Sequence, residues 1–231
     1  MTRFALLPIA LVLAGCAADF SGETRREQQA IELDGSKSTR VNLEMNAGEL
    51  KVSSGTAKLM EAEFTYNVDR FKPVVEHRPN PNGSEIHISH GSSHGFTFGN
   101  TMSRWDLRLN DDVPLDVVAK LGAGEAELNL GELNLRSVDM GIGAGEVHVH
   151  LRGAPQASYD VSIGGGVGET VVYLPRSVGI SATAAGGIGN ITVSGLEKRG
   201  ERWINPGQEN NPVQITLDVK GGIGEIRVTA Q

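Results

Sequence analysis

The chain has 231 residues, with 21 Lys and Arg against 28 Asp and Glu, a net charge of −7, 30 glycines and a single cysteine. One cysteine excludes a disulfide framework and a zinc site built on Cys ligands, and the acidic balance without a Lys/Arg cluster argues against nucleic acid as a partner. Abundant glycine with only 6 Phe, 3 Tyr and 2 Trp points to many tight backbone corners rather than helices.

The N-terminus reads as an address. A basic head, Met1-Thr2-Arg3, precedes an apolar run over 4–13, too short to span a bilayer, and Leu13-Ala14-Gly15-Cys16 closes it with small residues before the only cysteine. Those four residues resemble a bacterial lipoprotein signal. The resemblance implies a signal peptide over 1–15, cleavage before Cys16, and lipidation of Cys16 by a diacylglycerol thioether and a further acyl chain. Two or three acyl chains give durable anchoring where one gives marginal binding. Ala17 after the cysteine, rather than Asp, resembles the outer-membrane class if the source has two membranes; with a single membrane the anchor would lie in the cell membrane. Removing residues 1–15 deletes Arg3 and no acid, leaving a charge of −8. Residues 16–30 are polar and aperiodic, the composition of a lipidated flexible tether.

Residues 31–111 hold one glycine unit, Ala47-Gly48-Glu49, and short alternating runs at 62–66, 74–76 and 86–88, broken by Arg78-Pro79-Asn80-Pro81-Asn82-Gly83. This segment is expected to be an N-terminal β cap on the open first coil.

From 112 to 231 the sequence repeats. Gly122-Ala123-Gly124-Glu125, Gly143-Ala144-Gly145-Glu146, Gly166-Val167-Gly168-Glu169, Gly187-Ile188-Gly189-Asn190 and Gly222-Ile223-Gly224-Glu225 are versions of one unit, their second glycines 21, 23, 21 and 35 residues apart. The longest interval contains a turn-rich insertion at 195–212. On both sides of each glycine pair the apolar residues alternate with period two, the signature of half-buried strands. The two alternations are out of phase. Leu121 and Ala126, five apart, would face opposite sides of a straight strand, so the chain must bend between them to return both to one core. Gly48, Gly124, Gly145, Gly168, Gly189 and Gly224 are therefore expected to be structural corners. The fold class is all-β, a repetitive β-solenoid-like stack of two strands per coil in which each repeat buries its face on its neighbours. A meander of hairpins closing as a sandwich fits less well, since hairpin loops favour Asn-Gly or Asp-Gly.

Trp105-Asp106-Leu107-Arg108-Leu109, Val113-Pro114-Leu115 and Leu121-Gly122-Ala123-Gly124, with the later Gly-Ala-Gly-Glu, resemble the toast-rack family of bacterial envelope proteins, related to adhesin-like domains. The resemblance spans about 31–231 and implies an extracytoplasmic β stack without catalytic activity, in a binding or scaffolding role. It carries no site residues, and this chain departs from the cell-wall-stress regulators of that group in using a lipid anchor rather than transmembrane helices.

Candidate chemistry is sparse. Glu49, Glu125, Glu146, Glu169 and Glu225 recur at one place in the unit and stacking would align them; the solvated reading outweighs a calcium column, because Ile191 stands where the glycine-rich calcium repeat needs Asp. His87, His90 and His94 have a spacing that a folded loop could gather around a metal, and His148 and His150 share one outward strand face. Val171 and Tyr173 fall on the face that is polar in other repeats; either they form an exposed apolar spot with Trp203 and Ile204 of the insertion or, the favoured reading, the insertion folds over and buries them. Neither Gly-x-Ser-x-Gly nor a phosphate loop is present. The expectation is a lipid-anchored envelope scaffold or binding protein that is not an enzyme, needs no cofactor, and meets the membrane through its anchor and an envelope protein or glycan through its surface. The alternative is a polysaccharide-active enzyme on a solenoid.

Overall fold

The computed structural model describes residues 22–91 and 101–231, an all-β chain with one 3-10 turn at Asp69–Phe71 and, among the described residues, no helix long and apolar enough to cross a membrane. In chain order the strands are β1 (Arg25–Ile31), β2 (Thr39–Ser54), β3 (Met60–Tyr66), β4 (Pro73–Arg78), β5 (Ser84–His90), β6 (Ser103–Leu109), β7 (Leu115–Asn129), β8 (Leu135–His150), β9 (Tyr159–Leu174), β10 (Gly179–Ser194), β11 (Glu197–Arg199), β12 (Arg202–Ile204) and β13 (Gln214–Ala230). They form a single sheet in the order β1-β3-β6-β2-β7-β8-β9-β13-β10-β12-β11, with β4 and β5 attached beside β2.

Six long strands carry the repeat. β2, β7, β8, β9, β13 and β10 stack in that spatial order, parallel and in register, glycine against glycine. Each is one continuous strand with two arms on either side of its Gly-x-Gly. Leu121 and Ala126 are both buried, as are Ile142 and Val147, so the odd offset does bring both apolar sets to one interior. The core runs unbroken through the stack. Parallel register throughout rules out the hairpin meander.

Gly48, Gly124, Gly145, Gly168, Gly189 and Gly224 have φ between 130° and 139°. A Cβ at Gly145 would lie 1.8 Å from the carbonyl oxygen of Gly124, and one at Gly168 1.8 Å from that of Gly145. Glycine is required twice over, by the backbone angle and by the approach of the next rung.

Three domain expectations need correction. Residues 16–30 are not a tether throughout, because Arg25–Ile31 is β1, paired with β3 along its length; its polar composition is that of a solvated sheet edge rather than of free chain. Residues 31–111 are not a separate cap: β2 is a full member of the parallel stack, and β5 and β6 form the two arms of a further rung, pairing with the first and second arms of β2 respectively. That rung escapes a search for Gly-x-Gly because residues 91–102, which link its arms, contain no such motif. β4 and β3 then pair antiparallel with β5 and β6, adding a reversed rung, and β1 follows on β3. The insertion at 195–212 is more than a loop. It contains the β11–β12 hairpin, whose β12 pairs with Ser181 and Ala182 of β10, and Asn205 ties it down by donating to the carbonyls of Arg176 (2.9 Å) and Val178 (2.7 Å).

The insertion also lets the chain cross over. β10 does not stack on β9; the C-terminal strand β13 lies between them. β10 therefore ends the stack.

Candidate functional site: the open end of the stack

The stack is closed on one arm of its last rung and open on the other. β12 covers β10 at Ser181 and Ala182, and no strand among the described residues pairs with the free edge of the second arm, Gly186 to Ser194. That arm is exposed almost throughout.

Three columns explain the shape of this end. The residue before the positive-φ glycine is Ala47, Ala123 and Ala144 in the first three repeat rungs, then Val167, Ile223 and Ile188. The last three are 54%, 51% and 70% exposed, an apolar ridge along the outside of the corner. On the inside, Met45, Leu121 and Ile142 give way to Gly165, Gly221 and Gly186. Across the corner, Ala126 and Val147 give way to Thr170, Ile226 and Ile191. A Cβ at Gly221 would lie 3.0 Å from Cδ1 of Ile226, so the larger second-arm side chain fills the space the glycine vacates. In the β13 and β10 rungs an isoleucine across the corner thus occupies the space beside the glycine. At the last rung this compensation has no further neighbour: Ile191 is 41% exposed, whereas its column mates Ile226 and Val147 are 3% and 0%.

Charge follows the same gradient. From Ser177 to Leu196 there is no ionisable side chain, although each of the other five repeat strands carries several. The remaining edges are charged, β1 with Arg25, Arg26 and Glu27, β4 with Glu76 and Arg78, β11 with Glu197, Lys198 and Arg199.

The flank built by the second arms is polar. Glu49, Glu125, Glu146, Glu169 and Glu225 form one in-register column that ends at Asn190. Arg104 donates to Glu49 through Nε (2.7 Å) and Nη2 (3.0 Å), which holds that carboxyl below its usual range. Arg227 binds Glu225 (2.7 Å) and reaches Glu169 of the next rung (3.0 Å). Beside this column, a depression of about 280 Å³ is lined by Glu125, Glu127, Glu146, His148 and His150 among others. Among the described residues no group of three or more His, Cys, Asp or Glu is arranged to hold a metal ion.

The histidines do not converge. His90 is buried, accepts the amide of Asn46 at Nδ1 (3.1 Å) and lies 3.0 Å from the hydroxyl of Ser103 through Nε2. It occupies the core column of Met45, since Glu44 pairs with Ser89, and burial, aided by Arg70, lowers its pKa to about 4. His87 is an odd number of residues away, on the other face of β5, and His94 and Cys16 lie outside the described residues. His150 stacks on Tyr173 (4.7 Å between centroids), and Arg152 caps the other contact of that ring (5.0 Å). Burial, then Arg152, lowers the His150 pKa.

Val171 and Tyr173 form no exposed apolar spot, and the insertion is not what covers Val171. Val171 is 2% exposed, flanked in register by His148 and Arg227. Trp203 pairs with Ala182 on the first arm instead, under Lys198. Trp105 is buried against Phe64 and His90. The apolar surface lies at the ridge of Val167, Ile223 and Ile188. The switch from Ala to Val and Ile within the Gly-x-Gly units was the signal for it.

Residues 20–173 match the family model for the N-terminal domain of toast-rack, DUF2154. A candidate cell-adhesion protein from Clostridium sporogenes ATCC 15579 is similar in structure, with a TM-score of 0.86 and 29% identity over 90% of this chain and 100% of that one. A candidate adhesin from Bacteroides fragilis NCTC 9343 aligns at 8% identity over 90% and 98% of the two chains, with a TM-score of only 0.25. No curated protein matches the chain.

Proposed function

We propose that this chain, which belongs to the toast-rack family, is a lipid-anchored binding scaffold of the bacterial envelope, adhesin-like and without catalytic activity. The observation that carries the reading is the open end: an uncharged strand edge beside an exposed apolar ridge, on a molecule whose other sheet edges bear charges. The similarity to the clostridial candidate adhesion protein supports it. So does the fate of the aromatic residues a glycan-cleaving groove would need, since Trp105 is in the core and Trp203 serves the hairpin.

Anchoring is assigned to Cys16, with the signal peptide over residues 1–15 removed and the outer membrane as the destination. The test is fractionation of cells expressing the wild type and Cys16→Ser. The wild type should partition with membranes and yield an N-terminal peptide carrying the mass of a diacylglycerol thioether and one acyl chain, and the variant should lose both. A wild type whose Cys16 carries no lipid overturns the anchor. Turnover of an envelope polysaccharide by the purified protein overturns the non-catalytic role.

A further inference from the structure

We infer that the open edge of β10 is a self-association surface, taken by the same edge of a second copy in an antiparallel two-fold pair. This names the partner for the binding surface proposed above and rests on that reading, but not on the anchor.

The free edge from Gly186 to Ser194 presents backbone donors and acceptors, so its occupant is an extended chain. Neither segment outside the described residues starts nearby: residues 1–21 lead into β1 at the opposite end of the stack, and residues 92–100 join β5 to β6, with β6 six strand spacings or roughly 29 Å from β10. Charge then selects the partner. A two-fold contact brings groups near the axis against their own copies, so an edge without charges can pair with itself without like-charge repulsion. On a chain of net charge −7, β10 is the one long repeat strand with no ionisable side chain, and it is where the glutamate column switches to Asn190.

The inner face agrees. A two-fold axis perpendicular to the second arm keeps the inner faces of both copies on the same side, so Ile191 and Val193 of one copy meet their counterparts and regain the cover that Ile226 and Val228 already have. The same axis puts the partner's corner beside Ser194, where the arm runs on through Gly195 and Leu196 into β11. The contact therefore extends both the ladder and the core.

The test is sedimentation of the whole mature chain in detergent, across a range of protein concentrations, beside Ile188→Lys/Thr192→Lys at the edge and Asn129→Lys on an exposed mid-stack site. The wild type and Asn129→Lys should be dimers at tens of micromolar, and the edge variant a monomer with an unchanged melting temperature. Should the edge variant fold poorly, hydrogen exchange of the wild type decides: amides within 187–194 should lose protection on dilution while those of β8 do not. A monomeric wild type, a dimer that survives the edge substitutions, open-ended oligomers, or exchange at 187–194 that ignores concentration would each overturn the inference. None of these results bears on whether Cys16 is lipidated.

Discussion

Gly145 shows how narrowly one residue is specified. Its φ is 132° and a Cβ would sit 1.8 Å from the Gly124 carbonyl oxygen, so Gly145→Val combines backbone strain with overpacking against a neighbour that is itself backbone. The expected loss is roughly 3–5 kcal/mol, which for a chain of this size lowers the melting temperature by about 10 °C or more. Gly141, four residues earlier, has an ordinary φ and nothing within 4 Å of a built Cβ. Gly141→Ala should melt within a degree or two of the wild type. Equal melting of the two variants would contradict the packing account. The parity of Leu121 and Ala126 made this bend legible in the sequence. The close approach between successive glycines was not, because it depends on which rungs are neighbours.

At the scale of the element, the rung made by β5 and β6 is tied together at the inner ends of its arms by one histidine. His90 bridges the gap, joining the Asn46 amide to the Ser103 hydroxyl while packing edge-on against Trp105. Burial keeps it neutral, with its pKa lowered from 6.5 to about 4. Below pH 6.5 the unfolded chain takes up a proton that the folded chain refuses, so the stability held above pH 6.5 drains away as pH falls towards 4. Thermal melts should decline over that window, and His90→Met, which copies the neighbouring Met45, should decline less steeply there even if it starts lower. An unchanged slope would mean that His90 is not the titrating group. The sequence revealed the two alternating runs but not their union, since residues 91–102 interrupt the repeat. It placed His90 with His87 and His94 as candidate ligands because spacing alone cannot distinguish a loop from a buried strand end.

The whole molecule departs from a simple coil in one respect: the last strand made is the next to last in space. The repeat pattern identifies β13 as a rung but says nothing of where it goes, because every rung carries the same corner and similar alternating faces. The 35-residue interval between Gly189 and Gly224 supplies the length needed to pass β10 and return. The open end was equally hidden, as exposure of Ile191, whose column mate Ile226 is buried, follows from β10, not β13, being terminal. Deleting residues 214–231 should remove the pairing partner of both β9 and β10, leaving two bare aliphatic edges. The truncated chain should aggregate rather than form a shorter stable stack, as judged by sedimentation and by loss of exchange protection in β10. A soluble truncated monomer with β10 still protected would show that β10 can dock on β9 directly.

That threading sets a timetable for biogenesis. The slot between β9 and β10 can be filled only after Gln214–Ala230 has been made, so the stack is completed by a segment that follows its own outermost rung along the chain.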